Sequence, residues 1–341
     1  MIGIALVGAG FIADYHLGGM AGVDGAQVRL IVSRSRESAM RLAARHGVAD
    51  ASDDFDSALR RDDIDALVIA TPDDTHEELA SRALRAGRAV LLQKPMAPDA
   101  AACRRMIALA ESSGVDLQVS WMHRYFAEVG AARELLGQGR IGQPLSIRLR
   151  NATPGPDWGD WFFRKDVVGG GVVLQLGTHG IDLVGHMFGA IISVSARTWT
   201  LQSERRLRDG RIVAVENADT AMAIYEVDGG PIVHHEMSMI EVAGTDRFRM
   251  EIQGTDGTLW LRTERGVLAS IARGEAAWTR HELPPFPLGR RHHQHWVDGL
   301  LGAAPRQSTA YDALAGMVVV EAIAQSASEG GAYTQIKAVS A

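Results

Sequence analysis

Near the start of the chain, Gly8-Ala9-Gly10-Phe11-Ile12-Ala13 reads GxGxxA between an apolar run and a helical stretch. That spacing can hold a pyrophosphate. Gly8 allows a tight turn, Gly10 lets an anion approach the backbone, and small Ala13 lets a helix pack on a strand. Phe11 and Ile12 lead into that helix, whose first amides would face the phosphates. Without a ligand the same residues are only a tight glycine turn. The residue that reads the adenine ribose belongs at the end of the next strand, where Ser33 follows Gly8 by 25 residues and Arg34 and Arg36 come next. Asp or Glu there would bind the ribose diol of NAD. A small hydroxyl and arginines suit the 2′-phosphate of NADP, or else form a solvated helix start. NADP is the expected cofactor and NAD the alternative.

Lys94-Pro95 also follows an apolar run. In an open parallel sheet that end of a strand faces the ligand crevice. A lysine partly buried beside a cofactor can give or take a proton near neutrality; an isolated Lys-Pro is otherwise a surface loop. His179 follows the glycines at 169, 170, 171 and 177 and opens an apolar stretch. Its imidazole titrates near neutral pH and can take a hydroxyl proton as hydride leaves the carbon. The competing reading is a satisfied helix-start histidine. Asp182 lies one turn on and could orient a neighbour or bind substrate. Trp158, Trp161, Phe162 and Arg164 lie in a long Gly-, Pro-, Trp- and Asp-rich segment, residues 153–171. Aromatic rings there can cover a sugar ring or a nicotinamide, with Arg164 on a polar group, or the same residues pack a domain junction.

Alternating strands and helices would position these groups. Apolar runs at residues 1–7, 27–32, 65–70, 88–92 and 115–121 are separated by helical stretches. Two of those stretches span 34–46 and 99–113; another opens at the capping-box pattern Thr75-His76-Glu77-Glu78 and stops at Gly87. Such alternation means βαβ units, with helices on both faces of a parallel sheet. After residue 121 the pattern changes to a helix over 125–136, a strand over 145–150, the 153–171 loop and a helix over 183–188. Short β-rich runs from 191 to 283 suggest an antiparallel sheet, and helices over 292–301 and 312–328 close the chain. The expected fold class is α/β. Residues 1–121 form an N-terminal Rossmann domain with a doubly wound parallel sheet, and residues 122–341 a C-terminal α/β domain with a mainly antiparallel sheet.

The 341 residues carry 35 Lys and Arg against 41 Asp and Glu, a formal net charge of −6. An acidic balance argues against nucleic acid and anionic membranes as partners. No apolar run approaches the ~18 residues of a membrane span. Residues 1–10 lack the basic start of a signal peptide, and a lone Cys103 cannot form an internal disulfide. A soluble cytoplasmic protein with a small-molecule partner is expected.

Several segments together resemble the Gfo/Idh/MocA oxidoreductases. They are Gly8-Ala9-Gly10; Ala70-Thr71-Pro72 with His76; Ala86-Gly87 leading to Leu92-Gln93-Lys94-Pro95; Gly169-Gly170-Gly171 through Gly177-Thr178-His179-Gly180-Ile181-Asp182; and Tyr311-Asp312-Ala313 with Glu321-Ala322. They span nearly the whole chain. The resemblance implies an NAD(P)-dependent dehydrogenase or reductase acting on CH–OH groups of a sugar, cyclitol or related polyhydroxy compound. It implies that Thr71, Pro72, His76, Gln93 and Lys94 join the glycine turn, Ser33 and Arg34 around the cofactor. Lys94 would stand beside the nicotinamide, and His179 matches the family's catalytic histidine. Trp121, His123 and Arg124 fall where the family often places substrate contacts, and Asp182 resembles its motif aspartate. The family's C-terminal domain carries a large open sheet that supplies substrate contacts and an oligomer interface, which implies a homodimer or homotetramer.

Two positions depart from the pattern. Gln93 stands where the family usually has Glu before Lys-Pro, and Gln175 where many active members have Asp four residues before the histidine. Glutamine hydrogen-bonds but cannot ionise, so Gln175 is expected to bond a substrate hydroxyl. Two other readings stay open: a dihydrodiol-type dehydrogenase of the same family, and a non-catalytic dinucleotide-binding sensor with a partly decayed site. His179, Asp182 and His186 share i, i+3, i+7 spacing, but no HExxH or cysteine cluster accompanies them, so no metal is expected. His292, His293 and His295 belong either to the cleft or to the surface.

Overall fold

The computed structural model describes residues 1–165, 169–243, 247–263, 265–283 and 289–337. Strand β1 (Ile2–Val7) is buried over all but its first residue, as a central parallel strand must be when helices cover both faces. It leads through α1 (Ala13–Met20), β2 (Ala26–Val32), α2 (Arg36–His46), β3 (Asp50–Ser52), α3 (Phe55–Arg60), β4 (Ala66–Ile69), α4 (His76–Arg85), β5 (Ala89–Gln93) and α5 (Ala100–Ser113) to β6 (Leu117–Ser120). The six strands form one parallel sheet in the order β3-β2-β1-β4-β5-β6. The order reverses between β1 and β4, so the crevice beyond their carboxyl ends is the expected ligand site. The capping box at Thr75 does not form. Pro72 starts a 3-10 turn over Asp73–Thr75, and the Thr75 hydroxyl lies 2.7 Å from both Pro72 O and Thr71 Oγ1 instead of capping α4.

The chain continues through α6 (Ala127–Gly137), β7 (Pro144–Ala152), α7 (Thr178–Phe188), β8 (Ile191–Trp199), β9 (Glu204–Arg206), β10 (Ile212–Ala214), β11 (Thr220–Val227), β12 (Ile232–Ser238), β13 (Phe248–Gly254), β14 (Gly257–Arg262), β15 (Val267–Ala272), β16 (Thr279–Arg280), α8 (Arg290–Leu301), α9 (Thr309–Ser328) and β17 (Thr334–Gln335). A nine-stranded sheet runs β16-β15-β14-β13-β7-β12-β11-β8-β17, antiparallel except at β7–β12. Its burial alternates with the pleat. In β11, Ala221, Ala223 and Tyr225 are buried while Met222 and Ile224 are exposed, the pattern of a sheet covered on one face. Helix α7 packs on β7, and α6 on β14 and β15.

Two compact units emerge: Met1–Tyr125 with Phe286–Leu314, and Phe126–Pro285 with Ala315–Ala341. The first unit thus includes α8, which a division after residue 121 leaves with the second. Buried His292, His293, Trp296 and Val297 fall on one face of α8, and that face packs against α1. The crossing is close: a Cβ on Gly19 would lie 2.4 Å from His293 Nδ1. His292 and His293 are therefore core residues of this unit.

Candidate active site

In the first unit, the expected cofactor residues gather at the carboxyl ends of the parallel strands. Gly8, after β1, has φ +109°, and a Cβ there would lie 2.4 Å from Ala70 O at the end of β4. Only glycine lets the two turns meet so closely. Gly10 differs: a Cβ on it would meet nothing within 4 Å. The second glycine faces open space, where a phosphate needs to approach. Helix α1 begins without a side-chain cap at Ile12, which leaves first-turn amides for an anion. Phe11 is exposed beside this turn, and Thr71 and Pro72 are half-buried after β4. Ser33 follows β2 and is half-buried, while Arg34 and Arg36 are exposed. Among the described residues neither arginine has an ion-pair partner. An open glycine, an uncapped helix and unengaged cations fit a dinucleotide.

Lys94 follows β5 at the same edge. It is the one residue from Val90 to Ala97 that is not buried. The Gln93 side chain turns back, its Oε1 accepting the Lys94 N–H at 3.1 Å, and the Lys94–Pro95 peptide is cis. His76 is wholly buried, its ring nitrogens 2.9 Å from Pro95 O and 3.0 Å from Thr71 O. It braces the two turns against each other. The expectation of a cofactor contact at His76 gives way to this role, because its ring has no exposed surface.

The expected substrate contacts after β6 are also drawn inward. Trp121 and His123 are buried, and Trp121 Nε1 donates to Thr309 O at 3.4 Å. Arg124, with its side chain 8% exposed, pairs with Asp312 at 2.7 Å. Trp121 and Arg124 tie the end of β6 to the start of α9, and their polar groups are spent within the unit.

In the second unit, helical structure starts earlier than its glycines suggest. A single π-helical turn spans Val173–Gly177 and runs into α7. It is held by tertiary contacts rather than propensity: Val172 N donates to Ala218 O at 2.8 Å, and a Cβ on Gly171 would lie 2.4 Å from that same oxygen. Such turns insert an extra residue and re-aim side chains. From Gly171 to Val184 every residue is buried except Gln175, which alone is half-exposed. His179 is 8% and Asp182 5% exposed, three residues apart on one helix face. His186, farther along, accepts a hydrogen bond from Arg133 at 2.9 Å. No group of His, Cys, Asp and Glu among the described residues is arranged to hold a metal ion.

The aromatic segment before this turn belongs to the same unit; its residues 166–168 lie outside the described residues. Trp161 stacks on Phe162 with ring centroids 3.5 Å apart, and the Arg208 guanidinium lies 5.8 Å from the Trp158 ring centroid. Asp157 pairs with Arg208 at 2.7 Å, and Asn217 Nδ2 donates to Arg164 O at 3.2 Å. Strands β9 and β10 and the residues beside them thereby clamp the segment. Trp161 stays half-exposed and Arg164 exposed.

One family model, described as an oxidoreductase family with an NAD-binding Rossmann fold, matches residues 2–121. A second, the GFO/IDH/MocA C-terminal domain, matches residues 129–260. The chain belongs to the Gfo/Idh/MocA oxidoreductase family. It is accordingly an enzyme of the dehydrogenase and reductase kind. D-apiose dehydrogenase of Paraburkholderia graminis is 26% identical over 96% of this chain and 88% of its own length. Inositol 2-dehydrogenase of Rhizobium meliloti is 26% identical over 95% of this chain and 96% of its own. The solved structure of levoglucosan dehydrogenase with NADH and L-sorbose shares the fold, with a TM-score of 0.90 at 21% identity and 99% of each chain covered. GenD2 from gentamicin A biosynthesis, in complex with NAD, has a TM-score of 0.84 at 28% identity, covering 99% of this chain and 97% of its own.

Within this Gfo/Idh/MocA chain, Asn151, Tyr225 and His235 lie beneath α7, outside every motif of the sequence. The only sequence signal at that place is Gly180 directly after His179, a residue small enough for a helix to touch the sheet.

Proposed function

We propose that this chain is an NADP-preferring dehydrogenase or reductase interconverting a secondary alcohol and a ketone on a sugar, cyclitol or related polyhydroxy compound. The observation that carries this reading is Lys94. It is the single partly exposed side chain in a buried run, at the strand edge where the glycine turn opens. The relatives' names, dehydrogenases of apiose and inositol, favour the substrate class. The unengaged Arg34 and Arg36 favour a 2′-phosphate. A bound nicotinamide supplies the hydride-accepting carbon. His179 takes the hydroxyl proton, and the Lys94 ammonium holds and polarises the substrate oxygen. Gln175, the half-exposed group of the π turn, bonds a neighbouring hydroxyl without ionising. Asp182 orients the histidine face or binds substrate, and Trp161 and Arg164 meet the substrate from the clamped segment.

In this proposal residues 1–121 bind the cofactor, and residues 122–341 bind substrate and join copies. The open sheet face, with exposed Met222 and Ile224 and a groove of ≈ 690 Å³, is the surface through which a homodimer or homotetramer forms. No helix among the described residues is long and apolar enough to cross a membrane, in keeping with a cytoplasmic enzyme. The test is reduced-cofactor formation, followed by absorbance near 340 nm, with NADP⁺ and NAD⁺ against sugars, cyclitols and an aromatic dihydrodiol. Turnover of a sugar or cyclitol with higher kcat/KM for NADP⁺ is expected. Turnover of the dihydrodiol alone would change the substrate class, NAD⁺ preference would sink the cofactor assignment, and tight NADPH binding without any turnover would make the protein a sensor.

A further inference from the structure

The π turn and the helix α7 that follows it each rest on β12 at one point. A Cβ on Gly177 would lie 2.4 Å from Met237 Sδ. A Cβ on Gly180 would lie 2.6 Å from Asn151 Oδ1 and 2.7 Å from His235 Cε1. Gly177 and Gly180 are three apart on one helix face, and residues 235 and 237 are two apart on the covered face of one strand. His179 lies between the two glycines, so its backbone is fixed from both sides. The two seats differ in stiffness. Met237 is a flexible thioether. His235 is held by two hydrogen bonds, 2.9 Å to the Tyr225 hydroxyl and 2.7 Å to Asn151 Oδ1.

The direction of those bonds follows from the groups. Asn151 Oδ1 can only accept, so His235 Nε2 carries the proton and donates. Burial pushes the His235 imidazole down to about 3, so the ring is neutral and its Nδ1 accepts from Tyr225. All three side chains are essentially inaccessible, and they come from three adjacent strands, β7, β12 and β11. One tautomer satisfies the whole chain of bonds, which locks the ring beneath Gly180.

We infer that Tyr225, His235 and Asn151 form a positioning network that sets the height of α7 on the sheet, and through it the placement of the His179 imidazole. The inference rests on the reading of His179 as the proton acceptor. Proton transfer depends steeply on distance, and catalytic side chains need support that holds them within about 0.5 Å. Gly180 is glycine so that the helix backbone can sit directly on this seat.

Four variants test it: His235→Leu, His235→Gln, Tyr225→Phe and Gly180→Ala. Glutamine can reproduce both bonds, donating to Asn151 and accepting from Tyr225; leucine can reproduce neither. With the best substrate of the panel above, kcat should fall about ten-fold or more in His235→Leu and Gly180→Ala. It should stay within about three-fold in His235→Gln, with NADP⁺ affinity unchanged throughout. Tyr225→Phe removes one hydroxyl only and covers the case in which His235→Leu does not fold; it should lower kcat by an intermediate factor. Independently of turnover, the His179 ring resonance, assigned by its loss in His179→Ala, should move in His235→Leu and Gly180→Ala and stay in place in His235→Gln. Wild-type kcat and an unmoved His179 resonance in His235→Leu or Gly180→Ala would overturn the inference. So would equal losses in His235→Leu and His235→Gln. Undiminished turnover in His179→Ala would instead refute the catalytic reading of that histidine, while the resonance would still judge the network.

Discussion

Mild acidification should destabilise the first unit. Three imidazoles sit in its interior, where α1 crosses α8. His16 Nδ1 lies 2.9 Å from His293 Nε2, His293 Nδ1 2.7 Å from Gly289 O, and the Tyr15 hydroxyl 3.0 Å from His292 Nδ1. Gly289 O can only accept, so His293 Nδ1 carries its proton and His16 Nδ1 donates to His293 Nε2. His16 Nε2 is then a buried lone pair with no donor among the described residues. Burial, reinforced by neighbouring imidazoles, holds His16 and His292 far below the usual histidine range, and burial brings His293 to about 4. The unfolded chain binds protons near the ordinary value of about 6.5, so between that value and the folded one the unfolded state holds more protons. The stabilisation is complete above about pH 6.5 and is lost as pH falls through it, until the folded values are reached. From about pH 7.5 to about pH 5.5, each such histidine costs about 1.4 kcal/mol. Three together cost about 4 kcal/mol, a large part of a typical domain's stability. For a unit of roughly 150 residues this lowers Tm by on the order of 10 °C. Calorimetry or urea unfolding of the cofactor-free protein across this range measures the slope. His292→Phe should lose stability at neutral pH, because the Tyr15 hydroxyl loses its acceptor, yet show a slope smaller by about one proton. Equal slopes for wild type and His292→Phe, or a Tm that does not change with pH, would refute the reasoning.

Three further outcomes are expected. Lys94→Ala and His179→Ala should each lower kcat/KM by about 10² or more, with NADPH affinity nearly unchanged in His179→Ala by fluorescence titration. Arg34→Ala should weaken NADPH binding about ten-fold or more through loss of a charge-assisted bond, leaving NADH binding within about two-fold; equal effects on both would remove the 2′-phosphate contact. Gly8→Ala must place a methyl against Ala70 O at positive φ, so it should lower stability by about 2 kcal/mol or more and abolish cofactor binding, read by thermal unfolding with and without NADPH.

The parallel half of the fold is written in the sequence because its signals are local. Apolar runs need cover on both faces, and glycines and small residues mark where strands turn into helices. Gly8, Gly10, Ser33, Arg34, Thr71 and Lys94 all lie just past strand ends, where the order of strands places a crevice. Type and spacing single out Gln175, His179 and Asp182 as candidates, but their setting is not legible in the sequence. A stretch rich in glycine has poor helix propensity, and only burial on the sheet and the anchoring bond to Ala218 make it a π turn running into α7. Trp121, His123 and Arg124 carry no local sign that they turn inward. The partners of Trp121 and Arg124, Thr309 and Asp312, are about 190 residues away in sequence. The same holds for His292 and His293, which read as polar surface until α8 returns to α1. A histidine looks alike in sequence whether it is a ligand, a base or a core residue. Burial and the partners brought to it by the fold decide its proton, and with it what the residue can do.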